Sequence, residues 1–315
     1  MRTIISALCL LLIPGFAHAA EYDSYWGGGS GNWTDLSHWS TPAYPNNGTD
    51  NYNVFIGDLP ANPTVTLNTN ITVNRLDNWE RLNVKNYSLT LENLLGVNNY
   101  SILYMLNGTL NGNVGNTSLL QVDGGGYYYQ KTSTVSGALT NDGQVNLTSY
   151  GRLNYSGGSI GGAGTVAVPS TNRLNLVNDT DIGNNTINLS GGVFAADNGF
   201  SNSGSGKVTG YGTVRGALNG VVVATGNLDF ETNSSVGTSG LLRAANGGYV
   251  DMKDRTIINN GQVIVENSGR IYLNNSNLNG SGGGSTAVQT GGQLQVDGGG
   301  YYQQKTSTVS GALTN

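Results

Sequence analysis

Paired acidic residues are the first candidates for chemistry in this chain. They occur three times, as Asp179 with Asp181, Asp229 with Glu231, and Asp251 with Asp254. Two side chains at positions i and i+2 of a strand point to the same face, and polysaccharide hydrolases place two carboxyl groups across the scissile bond. Acidic residues at solvated corners give the same spacing without any function. The pairs therefore keep a polysaccharide-degrading enzyme, a lyase or a glycosidase, open as the alternative hypothesis.

Histidine and cysteine are too scarce for most other catalytic or metal sites. The chain has one cysteine, Cys9, and two histidines, His18 and His38. A zinc site needs several such ligands, and a Ser-His-Asp triad would depend on His38, which lies in a segment rich in glycine and tryptophan. We therefore predict no metal, no cofactor and no catalytic residue.

Aromatic residues are the candidate ligand contacts. An exposed ring offers an apolar face on which a sugar can stack, which makes carbohydrate or matrix components the expected partners. Each group also has a structural alternative that we prefer: the tryptophans would cap the open end of a strand stack, and the tyrosines would form an outward ladder on strands. The candidates are Trp26, Trp33, Trp39, Tyr127, Tyr128, Tyr129, Tyr301 and Tyr302.

The charge balance disfavours nucleic acid as a partner. The chain carries 14 Lys and Arg against 19 Asp and Glu, a formal net charge of −5, and only 10% of its residues are charged. Nucleic-acid binding draws on clustered basic residues, and here the basic residues are scattered singly.

The first residues resemble a secretory signal peptide over residues 1–19. Arg2 supplies a basic start, Ile4 to Ile13 is almost wholly apolar, and Ala17-His18-Ala19 is a small-x-small cleavage signal. The apolar run is shorter than the roughly 20 residues that span a bilayer. We expect an exported chain whose mature part has no transmembrane segment and no disulfide, because Cys9 leaves with the signal.

A long internal repeat indicates the architecture. The sequence LQVDGGGYYYQKTSTVSGALTN at 120–141 returns at 294–315, and only Tyr129 against Gln303 differs. The second copy stops at the last residue, whereas the first continues into further strand-like sequence. We therefore expect that the chain is part of a longer protein.

Short alternating runs predict an all-β protein, a right-handed parallel β-helix (β-solenoid) with an N-terminal cap rich in aromatic residues and proline. Runs such as Leu82-Asn-Val84 and Val145-Asn-Leu147 alternate apolar with polar residues, and Gly, Asn or Asp punctuates the corners. Coils of about 20–22 residues would give roughly 13 coils and a rod on the order of 60 Å, with corner asparagines stacked in amide ladders. The cap is expected at 20–63 and the solenoid at 64–315.

The N-terminal segment combines tryptophans, a proline-containing turn and an aspartate before the first strand-like run. These positions are Trp26, Asn32-Trp33, Trp39, Pro42 or Pro45, Asp50 and Val54-Phe55-Ile56. As a set they resemble the start of bacterial β-helical passengers. This resemblance to autotransporter-like and haemagglutinin-like surface proteins implies display at a Gram-negative outer surface and an adhesin-like or structural role. Binding would be distributed along a lateral strand face, without catalysis.

Overall fold

The chain folds as a β-solenoid. The computed structural model describes residues 19–280, 282–297 and 306–315. Residues 1–18 of the predicted signal peptide, together with Tyr301 and Tyr302, lie outside the described residues. Among the described residues, strands account for 56% and helix for about 1%. The prediction of an all-β fold with parallel stacked coils is confirmed.

The strands are short, with the exception of three near the middle of the chain. The first group is β1 (Glu21–Trp26), β2 (Gly31–Asn32), β3 (Asn51–Ile56), β4 (Thr64–Thr66), β5 (Ile71–Val73), β6 (Arg75–Asn78), β7 (Arg81–Lys85), β8 (Ser88–Leu91), β9 (Val97–Asn99), β10 (Ile102–Leu106), β11 (Thr109–Asn111) and β12 (Val114–Asn116). The second group is β13 (Leu119–Asp123), β14 (Thr132–Val135), β15 (Leu139–Asn141), β16 (Gln144–Thr148), β17 (Arg152–Tyr155), β18 (Ile160–Gly161), β19 (Thr165–Pro169), β20 (Arg173–Leu176), β21 (Thr180–Asp181), β22 (Thr186–Ser201), β23 (Lys207–Leu218) and β24 (Val221–Phe230). The third group is β25 (Ser234–Val236), β26 (Leu241–Ala244), β27 (Tyr249–Asp251), β28 (Thr256–Asn259), β29 (Gln262–Val265), β30 (Arg270–Asn274), β31 (Asn277–Asn279), β32 (Ser285–Val288), β33 (Gln293–Asp297), β34 (Thr308–Ser310) and β35 (Ala312–Thr314). One 3₁₀ turn, Leu36–His38, interrupts this pattern in the described residues.

Three strands form one coil, and about 12 turns stack. We name the three sides by the strands of the first half: face 1 contains β3, β6, β9, β12, β15 and β18, face 2 contains β4, β7, β10, β13, β16 and β19, and face 3 contains β5, β8, β11, β14, β17 and β20. Each strand pairs in parallel with its counterpart one coil away, for example β10 with β7 and β13. The long strands continue round the corners: β22 pairs with β19, then β20, then β21.

The core lies inside the coil because alternate residues point inward. In β10, Leu103 and Met105 are fully buried while Tyr104 faces outward. Leu103 stands in register with Leu82 and Leu120 of the adjacent coils, so like side chains stack along the axis. Burying one leucine in this way contributes about 1.5–3 kcal/mol. The period-two pattern thus fixes which face of every strand is internal.

Buried asparagines form an amide ladder at the corner between faces 1 and 2, as expected. The Nδ2 of Asn78 donates to Oδ1 of Asn99 at 2.9 Å, that of Asn99 to Asn116 at 2.8 Å, and that of Asn116 to Asn141 at 2.8 Å. All four residues are at most 1% exposed. Successive members are 21, 17 and 25 residues apart, so the ladder tolerates coils of different length.

The ladder then skips one coil. Thr140 is in register with Gly161, which puts Gly162 at the ladder position after Asn141. Gly162 has φ +80° and a Cβ there would lie 2.4 Å from the Asn141 carbonyl oxygen, so only glycine fits. Asn185, from the following coil, fills this place: its Oδ1 accepts from Asn141 Nδ2 at 3.0 Å, and its own Nδ2 donates to the Gly161 carbonyl at 2.8 Å.

The three N-terminal tryptophans pack on one another. Trp26 and Trp33 each lie 4.9 Å from Trp39, measured between ring centroids. The indole of Trp33 donates to the Pro45 carbonyl at 2.8 Å, and that of Trp39 to the Trp33 carbonyl at 2.6 Å. The role of residues 20–63 as a cap stays a prediction.

Candidate ligand-binding groove

A polar groove runs along face 3 across the coils of β14, β17, β20, β22 and β23. Its volume is about 580 Å³. Its floor and walls are formed by outward side chains, and we define the face 3 groove by Thr132, Arg152, Asn154, Arg173, Asn175, Val177, Ala195, Asp197, Asn198 and Arg215.

Strand register places the polar side chains of the groove in two columns. Arg152 stands beside Arg173, and Asn154 beside Asn175, because β17 and β20 pair without a shift. The Nδ2 of Asn175 donates to Asn154 Oδ1 at 2.8 Å, and Arg173 Nε donates to Asn175 Oδ1 at 2.6 Å. In the next coil the column continues with Ala195, whose small side chain deepens the groove.

Ion pairs hold two of the three arginines. Arg215 contacts Asp197 at 2.6 Å and Glu231 at 3.4 Å, and Arg173 contacts Glu231 at 3.3 Å. These side chains are 20–57% exposed, so each pair contributes little to stability, typically about 0–1 kcal/mol. Their main effect is to fix the orientation of the guanidinium groups along the groove.

Arg152 differs from the other two. It is exposed, and its side chain donates to Gln130 Oε1 at 2.5 Å. None of the ion pairs in the described part of the chain involves it. Arg152 is therefore a cation of the groove without a carboxylate partner there.

A glycine-rich insertion projects beside the groove. Residues 124–131, which we call the tyrosine loop, connect β13 to β14, where the coil before uses only residues 107–108. The base of the loop is closed by bonds from Lys131 N to the Gly124 carbonyl at 2.9 Å and from Gly126 N to the Ser149 carbonyl at 3.0 Å. A Cβ at Gly124 would lie 2.3 Å from the Tyr150 carbonyl, so the loop needs glycine to lie against the next coil.

The tyrosine loop exposes its aromatic rings. Tyr127, Tyr128 and Tyr129 are 63%, 91% and 68% exposed. Tyr127 packs edge-on against Tyr128 and Tyr150, with centroid distances of 5.3 and 5.4 Å, and Lys131 Nζ lies 6.0 Å from the centre of the Tyr129 ring. These three tyrosines lie in a turn, so the outward strand ladder that we preferred for them is not formed.

Gln130 joins the loop to the groove. Its Nε2 donates to the Tyr127 carbonyl at 3.2 Å, and its Oε1 accepts from Arg152. Gln130 therefore links the loop that carries the exposed rings to the guanidinium of Arg152. An aromatic platform next to polar hydrogen-bonding groups is suited to a ligand with both apolar C–H faces and hydroxyl or charged groups.

The tryptophans predicted as ligand contacts are placed differently. Trp26, Trp33 and Trp39 are 2%, 0% and 7% exposed. Their rings are covered by one another and by the first coils, so they have no open face for a sugar. Tyr301 and Tyr302 lie outside the described residues.

In each of the three acidic pairs, one member is engaged by other groups. Glu231 is paired with Arg173 and Arg215, as described above. Asp181 Oδ1 accepts the backbone N–H of Gly183 and that of Ser203, both at 2.9 Å, while Asp179 is exposed. Burial acts to raise the pKa of Asp181, but hydrogen bonds from Ser203 and Gly183 outweigh it and lower the pKa. Asp254 accepts from Asn275 at 2.8 Å.

The structure instead pairs Asp229 with Asp251. They are in register on neighbouring strands of face 3, farther along the axis than the groove. Burial raises the pKa of Asp251, and the charge of Asp229 raises it further. Among the described residues no three His, Cys, Asp or Glu side chains are grouped closely enough to hold a metal ion.

The groove arginines were not among the residues singled out from the sequence. One signal was available: Arg-Leu-Asn occurs at 152–154 and again at 173–175, and the two asparagines are 21 residues apart, one coil. Glu231 could not be assigned in this way, since it meets Arg173 across 58 residues.

No protein-family model, no curated protein and no solved structure matches this chain. Within the part of the chain that the structure describes, helices are too short and polar to cross a membrane.

Proposed function

We propose that this chain is an exported cell-surface β-solenoid that binds an extended polysaccharide along face 3 and does not cleave it. One observation carries the proposal: an open groove lined by arginine and asparagine side chains lies beside three tyrosines that are more than 60% exposed. Large exposed aromatic side chains mark interaction sites on proteins.

The shape of the molecule supports an extended ligand. Outward positions in register repeat at each coil along face 3, with a spacing of about 4.8 Å. Two neighbouring coils carry the same side chains there, Arg152 with Arg173 and Asn154 with Asn175. A polymer lying along the axis would meet the tyrosine loop first and then the Arg and Asn columns. Binding would be shared among many contacts, which is the arrangement expected of an adhesin or a matrix component.

Export is supported by residues 1–19 and by the resemblance of residues 26–56 to bacterial surface passengers. The test is to express the full gene with an epitope tag and to treat intact cells with protease. We expect a processed, protease-accessible product. An intracellular product that retains its first 19 residues would overturn the surface assignment.

Binding is tested with Tyr128→Ala and a matched control, Tyr211→Ala. Tyr128 is 91% exposed in the tyrosine loop, and Tyr211 is 49% exposed on β23. Against an array of polysaccharides, we expect Tyr128→Ala to weaken binding about tenfold, equivalent to about 1.4 kcal/mol, and Tyr211→Ala to have no effect. Equal affinities for both variants, or no polysaccharide bound by the wild-type chain, would contradict the proposal.

The second candidate function is polysaccharide cleavage, and the alignment of Asp229 with Asp251 favours it. Two outward carboxyl groups on adjacent strands, one with a raised pKa, are the groups that a glycosidase requires. The test incubates bound polysaccharides with wild type and with Asp251→Asn and measures new chain ends. Cleavage that disappears in the variant while the fold is kept would replace the binding proposal with the enzymatic one.

A further inference from the structure

We infer that the face 3 groove recognises a carboxylate on its polysaccharide, so that the ligand class is an acidic, uronate-containing polysaccharide. This inference rests on the proposed function and specifies its ligand. It assigns Arg152 as the residue that receives the carboxylate.

The local charge opposes that of the whole chain. The chain has a net charge of −5. Among the residues that line the groove, however, the basic groups outnumber the acidic ones: Arg152, Arg173 and Arg215 line it together with Asp197, and Glu231 is the one further carboxylate that pairs with these arginines. A positive site on an acidic protein attracts an anionic ligand to one place and repels it from the rest of the surface.

The ion pairs distinguish Arg152 from the other two arginines of the groove. Arg173 and Arg215 share Glu231, and Arg215 also contacts Asp197, so their charges are already matched. Arg152 donates one hydrogen bond, to Gln130, and that acceptor is neutral. A guanidinium has five N–H donors in a planar fork that fits the two oxygens of a carboxylate. The remaining donors of Arg152 bond to no protein acceptor among the described residues, and the side chain is exposed at the groove.

The tyrosine loop sets where the sugar ring would lie. Gln130 contacts both the Tyr127 carbonyl and Arg152, so the two sites have a fixed separation. A sugar stacked on a tyrosine ring would present its substituents at its edge, and Arg152 is the cation that Gln130 links to this loop. Asn154 and Asn175, in the adjacent column, offer amide groups to hydroxyls. One uronate unit can therefore use the ring, the guanidinium and an amide together.

The test uses two oligosaccharides with the same backbone, a polyuronate fragment and its carboxyl-reduced form, and titrates each into the full chain. The variants are Arg152→Ala, Arg152→Lys and the control Arg270→Ala, since Arg152 and Arg270 are both exposed first residues of face 3 strands. We expect wild type to bind the polyuronate at least tenfold more tightly than the reduced form. Arg152→Ala should lose that preference, Arg152→Lys should retain part of it, and Arg270→Ala should match wild type. Added salt should weaken only polyuronate binding.

The outcomes separate this inference from the proposed function. If wild type binds both oligosaccharides equally while Tyr128→Ala weakens both, the groove binds polysaccharide but the carboxylate inference is wrong. The same conclusion follows if a sulfated oligosaccharide binds more tightly than the polyuronate, or if Arg152→Ala and Arg270→Ala behave alike. Failure of wild type to bind any of these sugars overturns the carboxylate inference, and the proposed function is overturned as well only if the polysaccharide array is also negative. Circular dichroism and thermal unfolding of every variant confirm that the fold is intact before its affinity is compared.

Discussion

The amide ladder allows the contribution of one buried side chain to be calculated. Asn116 is 0% exposed. Its Nδ2 donates to Asn141 Oδ1 at 2.8 Å and to the Gln144 carbonyl at 3.0 Å, and its Oδ1 accepts from Asn99 Nδ2 at 2.8 Å. Asn116→Ala removes these three hydrogen bonds, together with a long one from Nδ2 to the Ser118 carbonyl at 3.5 Å, and adds none.

The expected cost depends on which partners are left unpaired. Asn99 Nδ2 retains the Leu119 carbonyl at 3.0 Å and the Ser101 carbonyl at 3.2 Å, so it remains satisfied. Asn141 Oδ1 loses its donor while fully buried, which costs about 1–3 kcal/mol. The other two lost bonds contribute about 0.5–1.5 kcal/mol each. We therefore expect Asn116→Ala to lower the free energy of unfolding by about 2–6 kcal/mol.

The assay is guanidinium-induced unfolding followed by circular dichroism, with the slope of the free energy against denaturant compared between variants. The matched control is Asn188→Ala, because Asn188 is exposed on β22. A surface substitution of this kind changes stability by about 0.5 kcal/mol or less. An Asn116→Ala shift no larger than that of the control would refute the argument that the ladder stabilises the coil corners.

Three further predictions concern charge and the N-terminal aromatic cluster. Asp181→Asn should lower the melting temperature near neutral pH and have little effect in strong acid. Because the pKa of Asp181 is lower in the folded than in the unfolded state, its carboxylate stabilises the fold above the unfolded pKa, and this stability is lost as the pH falls through the folded pKa. Asp251→Asn should do the opposite and raise the melting temperature near neutral pH. Burial, and then the charge of Asp229, raises the pKa of Asp251. Its protonated form therefore stabilises the fold below the unfolded pKa, and this stability is lost as the pH rises through the folded pKa. Thermal unfolding across pH checks both, and shifts of the same sign would contradict the reasoning. Trp33→Ala removes a ring that is 0% exposed and should lower the stability of the first coils by about 3–5 kcal/mol. Limited proteolysis should then cut earlier before residue 63, while most of the β-sheet signal in circular dichroism is retained. An unchanged digestion pattern would contradict this prediction.

The strands and the core were predictable because they follow from local alternation. Successive side chains of a strand point to opposite faces, so Leu103 and Met105 point inward when Tyr104 between them points outward, and the short strands of the other coils follow the same alternation. The asparagine ladder was predictable in kind, since corner amides repeat once per coil. Its break at Gly162 was not, because the replacement by Asn185 depends on space left by a missing side chain in another coil.

The tyrosine loop shows where propensity fails. Three consecutive tyrosines favour a strand, but Gly125 and Gly126 before them adopt φ of +74° and +98° and turn the chain out of the sheet. The sequence Gly-Gly-Gly was visible beforehand. Its consequence, an insertion that lifts the rings off the solenoid, required knowing that β13 and β14 keep their register on either side of it.

The candidate groove could not be predicted because it is assembled across coils. Ala195 lies beside Asn175 and Arg215 only through the register of β22 with β20 and β23. In this fold the inward positions stabilise and are constrained to apolar residues or, at the corners, to hydrogen-bonded polar residues such as Asn116, whereas the outward positions are less constrained. A binding surface can therefore be built on one face without cost to the core. This separation predicts that Arg152→Ala should leave the free energy of unfolding within about 0.5 kcal/mol of wild type, while Asn116→Ala, at the corner between faces 1 and 2, should leave binding at the face 3 groove unchanged. A variant at either site that altered both properties would show that the groove and the core are coupled.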